Sequence, residues 1–431
     1  MPGVCHDLSA QEEVQLYHDA DRFGFFSLLI QNEKAKRQYT FPLNRMVEVI
    51  SGIDQDRDTW ITQAEFRRFN RRIVDFARVG LAWVDLDYYN TDHINSPPEK
   101  LTEQLLMYCS FNGLLPPSMV IYSGRGLQLK WVFDKPIPTQ ALIRWNALQR
   151  FLCQSFLDYG SDPKSCDASR VFRLVNTVNS KSGNRCRVVY HSGETYGFDE
   201  LCDAYLPVLR EVVRENRNNR RPALTLHTNN ENRTYANRFN IRTLNWHRLL
   251  DLRKLCRMRG WENGVAAGYQ DWCLFLATCF LAWSIEPDKL FIEVNTLARE
   301  FCPAWKQGEA ASACQSAIVR AKAAANGKMI EFRGKLKSPR YMFSNRYLID
   351  TLAITGDEQR QLLTIISSEE KKRRRTDKRR ELGMVDRQSY LMQSEQRRVE
   401  ARIRRARGES FRQIAVALNC SPAEIHRLVS T

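Results

Sequence analysis

Three short segments of this chain hold residue types whose spacing suits one chemistry. In Val84-Asp85-Leu86-Asp87-Tyr88 two carboxylates stand two residues apart after the apolar run Val79 to Trp83. On a strand, side chains alternate, so Asp85 and Asp87 leave one face while Val84, Leu86 and Tyr88 turn to the core. Two adjacent like charges repel unless a cation lies between them, and oxygen ligands of this kind suit Mg²⁺ or Mn²⁺. Asp167 offers a third carboxylate. Such a set can hold one or two ions that activate a hydroxyl and neutralise a leaving pyrophosphate.

The second segment, Ser123-Gly124-Arg125-Gly126, predicts a turn tolerant of positive φ, with backbone N–H groups able to converge on phosphate. In the strand after it, Leu127, Leu129, Trp131 and Phe133 share one face, and Gln128 and Lys130 the other. Arg125 and Lys130 are suited to triphosphate oxygens and Gln128 to a hydrogen bond, with Ser123 at the turn. The third segment runs Asp167-Ala-Ser-Arg170-Val-Phe-Arg173, with Asn176, Asn179 and Lys181 beyond it. Its arginines and amides are further contacts for an anionic nucleotide.

These segments need strands and helices to hold them. Met119 to Tyr122 and Leu127 to Phe133 read as strands joined by the glycine turn. Leu142, Trp145, Leu148, Leu152 and Phe156 recur at helical spacing, and Gly160 follows as a stop. Val171 to Val178 and Arg187 to Tyr190 read as further strands. The pattern predicts an α/β domain over 1–205 and an Arg/Asn-rich linker over 206–240. A helical module over 241–330 and a helical, basic connector over 331–400 follow. Asp54 to Glu65 mimics a calcium loop, but Thr59 stands where that loop needs glycine. Thr59 to Phe66 is therefore read as a strand, followed by Arg67, Arg68, Arg71 and Arg72.

Charge narrows the partners. The 431 residues carry a formal net charge of +16, which favours a polyanion, most simply nucleic acid. Within the last 61 residues, 17 Lys or Arg face 7 Asp or Glu. None of the 12 Cys forms a CxxC pair, which argues against a zinc ribbon. There is no secretory signal and no apolar run near ~18 residues, so a cytoplasmic protein without a membrane partner is expected. The 7 His include no close pair of the kind a rolling-circle nickase needs, and no phosphate-binding GxxxxGK[ST] loop suggests a helicase.

The last thirty residues form a separate motif. Ser410 can cap a helix with Ile414, Ala415 and Leu418 inward, Asn419-Cys420 makes a turn, and Ser421-Pro422 opens a second helix. This stretch, 401–431, resembles a helix-turn-helix of the resolvase type. In that arrangement the second helix enters the major groove. Glu424, His426 and Arg427 would meet bases, and Arg412, Gln413 and Ser421 phosphates.

The order of the three upstream motifs resembles the archaeo-eukaryotic primase (primase–polymerase) superfamily over about residues 40–205. That superfamily's second motif usually ends in His; Gln128 here is similar to plasmid-encoded primases of the RepB type. The resemblance implies Asp85, Asp87 and Asp167 as metal ligands. It also implies Gln128, Lys130, Arg170 and Arg173 as nucleotide contacts, and a mixed-sheet catalytic domain followed by helices. The expected function is replication initiation on a plasmid or phage: binding origin DNA and priming on opened template from nucleoside triphosphates, alongside host replication proteins. The alternative is a non-catalytic origin binder that keeps a degenerate primase fold.

Overall fold

A computed structural model describes residues 8–32, 35–206, 230–306, 308–332, 334–381 and 387–430. Ser9 closes a capping box on α1 (Ala10–Gln15). Strands β1 (Phe25–Gln31) and β2 (Lys36–Pro42) then pair antiparallel, and α2 (Met46–Ser51) leads to β3 (Thr59–Thr62) and β4 (Ala64–Phe66). The calcium-like stretch thus becomes two strands. The long β5 (Phe76–Leu86) carries the first motif. After α3 (Pro98–Phe111), β6 (Met119–Tyr122) and β7 (Leu127–Pro138) make the expected hairpin around the glycine turn. Helix α4 (Leu142–Ser155), short strand β8 (Val171–Arg173), β9 (Arg187–His191) and α5 (Phe198–Tyr205) complete the domain.

The nine strands order as β8-β3-β1-β4-β5-β7-β6-β9, with β2 on β1. The α/β class holds. Pairings between these strands are antiparallel, and the parallel element is an isolated bridge, Phe133 to Tyr196. β8 stops at Arg173, short of the expected Val178, because Asn176 turns the backbone to φ 67°. Around β5, Trp83, Trp131 and Trp145 are fully buried, with Trp145 Nε1 donating to Leu81 O and Gln149 bonded to both backbone groups of Trp83. Each buried aromatic of this size is worth about 3–5 kcal/mol against truncation to Ala, so β5 is held firmly where its carboxylates emerge.

Of the expected linker, 207–229 lies outside the described residues, and 230–240 already belongs to α6 (Asn230–Met258). Helices α7 (Gln270–Leu281), α8 (Pro287–Phe301) and α9 (Glu309–Ala325) follow, then the small hairpin of β10 (Ile330–Phe332) and β11 (Lys335–Lys337). This helical module docks on the sheet domain. Glu293 accepts from the Ile73 and Val74 N–H groups at 3.1 and 3.0 Å. Arg253 pairs with Asp75 and Glu300 at 3.3 and 2.7 Å, and Trp246 Nε1 donates to Thr139 O. Residues up to Phe343 therefore form one compact unit.

The second unit, Ser344–Thr431, contains α10 (Asn345–Thr351), α11 (Gly356–Gln361), the basic α12 (Ser368–Glu381), α13 (Arg387–Ala406), α14 (Phe411–Ala417) and α15 (Pro422–Ser430). Ala401, Ile414, Ala415 and Ile425 form a small core among the last three helices. No described helix is long and apolar enough to cross a membrane.

Candidate active site

The first and second motifs meet across β5 and β7. Asp85 is the cross-strand partner of Gln128. The turn glycines are needed for this approach: Gly124 sits at φ 87°, and a Cβ on Gly126 would lie 2.5 Å from Leu86 O. Asn179 Nδ2 ties the turn down through Ser123 O at 2.9 Å. On the other side Gly160 O accepts from Asp87 N–H, and Asp162 N–H donates to Asp85 O, both at 2.9 Å.

Together these segments line a cleft of about 270 Å³. Of the predicted site residues, it brings together Asp85, Asp87, Ser123, Arg125, Gln128, Arg170 and Arg173. Gln128 is 3% exposed and its Oε1 has no hydrogen-bond partner. A buried acceptor left unpaired in this way is costly unless a ligand or water meets it. Arg125 lies 3.8 Å over the Tyr89 ring, and Ser123 Oγ accepts from Gly126 N–H. Arg173 is held by Asp58 and sits 4.6 Å over Trp60. Burial pushes Asp58 up, but hydrogen bonds from Ser180 and Arg173 outweigh it and keep the carboxyl below its ordinary value.

Two predicted residues do not join the cleft. Lys130 is 1% exposed and bonded to Glu13 Oε1 at 2.6 Å, with Tyr17 OH also on Glu13. Because α1 covers that part of β7, Lys130 is buried against Glu13 and does not line the cleft. Asp167 faces a separate cavity of about 820 Å³. Its carboxylate takes Lys289 Nζ at 2.7 Å and the Ser169 N–H at 3.0 Å. Burial raises the Asp167 pKa, but the Lys289 contacts outweigh it and leave the group below its usual range.

The acid that does approach the pair is Asp162. Arg170 Nη2 lies 3.4 Å from Asp85 Oδ2 and 3.2 Å from Asp162 Oδ2. Burial pushes the Asp85 carboxyl up to about 7; Arg170 pulls it down, while Asp87 and Asp162 add to the rise. Burial and then Asp87 push the Tyr89 hydroxyl up to about 12. Sequence reasoning also missed Lys36, Trp60 and Tyr89. Lys36 lies 3.9 Å over Trp60, and burial, then Lys181 and Arg173, depress its pKa. Lys36 and Trp60 come from strands upstream of any motif and carry no spacing signal. Asp162 did have one: an Asp-Pro step just after the helix stop Gly160.

An Asp85 carboxyl pushed up to about 7 beside a second acid suits a divalent cation, which would relieve both the like-charge repulsion and the lost hydration. Among the described residues, no three carboxylates, thiols or imidazoles converge as a ready-made metal site. Asp85 and Asp87 are thus the protein's ligands on offer, with Asp162 reachable if Arg170 swings aside.

In the second unit, Ser410 and Gln413 form a capping box on α14, so Gln413 Oε1 is engaged with Ser410. Ser421 Oγ accepts from Glu424 N–H at the start of α15, and Asn419 turns the chain at φ 50°. Arg412, His426 and Arg427 are exposed and Glu424 is half-buried. His426 packs 5.4 Å from the Phe411 ring. The Ser410–Gln413 and Ser421–Glu424 bonds make Gln413 and Ser421 helix caps first.

No known family model matches the chain. It is 27% identical over 318 residues to a protein of Clostridium perfringens called "Replication protein", a match that spans 72% of this chain and 68% of that one. Among solved structures it is similar to the AEP domain of the cyanophage S-2L primase-polymerase. That overlap has 18% identity and a TM-score of 0.32, covering 43% of this chain and 90% of that one. It is also similar to primase RepB′, with 14% identity and a TM-score of 0.30 over 72% of this chain and 94% of that one. The catalytic domain of the same primase, in complex with initiator DNA, gives 13% identity and a TM-score of 0.28 over 50% and 100%. At these scores the overlaps add no residue-level correspondence.

Proposed function

We propose that this chain initiates replication of a plasmid or phage replicon, reading duplex origin DNA and making a short primer by nucleotidyl transfer. The observation that carries the reading is the cleft itself. Its lining holds Asp85 and Asp87, a buried unpaired acceptor on Gln128, and the cations Lys36, Arg125, Arg170, Arg173 and Lys181. Two acids and five cations in one lining fit a nucleoside triphosphate entering with a divalent ion. Bound at Asp85 and Asp87, Mg²⁺ or Mn²⁺ would supply charge neutralisation and hydroxyl activation. Arg125 and Lys181 would hold phosphates, Gln128 would orient the nucleotide, and Trp60 and Tyr89 would limit its approach. In the second unit Arg412, Glu424, His426 and Arg427 would contact origin DNA, with Gln413 and Ser421 presenting backbone at the helix starts.

The likeness to the clostridial replication protein supports replication as the setting. The engagement of Asp167 by Lys289 favours a second reading, a non-catalytic origin binder, because it leaves two acids at the cleft where three are expected.

The test is template-dependent incorporation of labelled ribo- and deoxynucleotides, in parallel, on origin DNA with Mg²⁺ or Mn²⁺. Asp85→Ala and Asp87→Ala should each lower incorporation on the order of a hundredfold or more. Equal product from wild type and both variants would overturn primer synthesis; origin binding without incorporation would leave the second reading.

A further inference from the structure

The arginine-rich loop Arg67–Arg72 plays no part in the cleft, yet it is tied to it. Arg71 Nη1 donates to Ser169 O at 2.8 Å, and the next residue, Arg170, lines the cleft. On the other side of this loop Asn70 and Arg72 form one wall of a second groove of about 270 Å³. Its other wall is a stripe along α8: Phe291, Asn295 and Arg299, spaced one helical turn apart, with Thr296 beside them.

Helix α8 sorts its charges. Glu293 and Glu300 turn inward and are consumed by Ile73, Val74, Arg68 and Arg253. The groove stripe keeps the cation and the ring. Among the described residues no acid lines the groove. Among the described residues neither the Arg72 nor the Arg299 guanidinium forms an ion pair. Phe291 is 45% exposed, and Phe69, beside the groove's Asn70, is 67% exposed with its ring 4.3 Å from Phe25.

We infer that this groove is a binding site for single-stranded DNA, holding the template as it leaves the cleft. Two guanidinium groups outside any close ion pair, with the exposed Phe291 ring in the same groove, are the combination that sequence-tolerant single-strand binding uses: cations follow the phosphates and rings stack on bases. Neither cation is taken up by a close ion pair, although the Arg72 charge also acts on the buried Glu293, and a polyanion suits such a pair of cations. Arg71 ties the loop that bears one wall of the groove to Ser169, the residue before the cleft's Arg170. The strand's identity as template rests on the proposed function; the binding of single strands does not.

The experiment uses the full chain and a fluorescent oligothymidylate, with an excess of unlabelled duplex to saturate the C-terminal unit. Arg72→Ala/Arg299→Ala should weaken single-strand binding about tenfold and lower the slope of log affinity against log salt by about 1.4, two phosphates' worth. Phe291→Ala should weaken it several-fold with the salt slope unchanged. A 5-iodouracil-substituted oligonucleotide should crosslink to the peptide containing Phe291, which tests the site in the wild-type chain without relying on a variant's folding. Manganese-dependent binding of a fluorescent triphosphate should be unaffected in the groove variants. Wild-type affinity in both variants with crosslinks confined elsewhere overturns the inference, as does failure of the wild type to bind single strands. A wild type that binds no triphosphate sinks the cleft reading alone, since the oligothymidylate result is read separately.

Discussion

Gln128 and Lys130 leave the same face of the same strand, two residues apart, and meet opposite fates. Gln128 stands across from Asp85, where the strand ends at a glycine turn and the face opens to the cleft; its acceptor is buried and unpaired. Lys130 stands across from Trp83, where α1 folds over the face and supplies Glu13. Alternation along a strand tells which residues share a face, but not where that face is covered. Coverage is set by a segment 117 residues away in sequence.

The sharpest way to break this comparison is at Lys130. Removing one partner of a buried ion pair leaves the other charge uncompensated, which costs about 3–5 kcal/mol. Lys130→Met should lower stability by that order in urea melts, and Glu13→Gln with Lys130→Met should regain much of it. Triphosphate affinity of the folded fraction should hold. An unaltered melt with lost nucleotide binding would return Lys130 to the cleft.

A second contrast separates the two candidate third acids. Asp162→Asn removes a carboxylate that shares Arg170 with Asp85, and should weaken Mn²⁺ binding about tenfold by loss of one charged contact. Asp167→Asn frees Lys289 and should leave Mn²⁺ binding within about twofold, since Asp167 pairs with Lys289 and does not line the cleft. Titration of Mn²⁺ by its electron paramagnetic resonance signal checks both. The opposite ranking would restore the arrangement expected from the motif order.

The elements that position the cleft were legible because each has a local cause. The acid pair follows an apolar strand, the two glycines force the turn, and Leu142 to Phe156 repeat at helical spacing. The misplacements have a shared cause. Asp167 and Lys130 were assigned by motif and alternation, yet Lys289 and Glu13 arrive from distant helices and claim them. Lys36 and Trp60 enter the cleft only through the pairing of β1 with β2 and β3, which no local pattern announces. The docking of the helical module was likewise invisible, because Glu293 and Arg253 look like ordinary surface charges until their partners at Ile73 to Asp75 are in place.

Gln128→Leu addresses the open end of the face. It removes a buried acceptor that no partner among the described residues satisfies, so stability should be unchanged or slightly raised. Nucleotide affinity should fall about tenfold, the worth of one hydrogen bond to a charged group. Parallel melts and fluorescent-triphosphate titrations separate the two effects. A clear loss of stability would mean that Gln128 supports the fold as Lys130 does, and the contrast between them would disappear.

The smallest effect concerns the acid opposite Gln128. Asp85 titrates at about 7 in the folded chain against 3.8 for the free side chain. Between those values the folded chain holds a proton that the unfolded chain has released. The contribution to stability is therefore present below about pH 4, declines as pH rises, and is gone above about pH 7. Asp85→Asn keeps the shape without the titration. In chelator-treated protein the variant should match wild type near pH 4 and exceed it near pH 8 by on the order of 1 kcal/mol. Adding Mn²⁺ at the higher pH should narrow the gap by stabilising wild type alone, because a ligand that binds only the folded state adds to its stability. A gap that is the same at both pH values, or that Mn²⁺ leaves unchanged, would mean that Asp85 is held by Arg170 as firmly as Lys130 is by Glu13, and that this end of the strand face is closed as well.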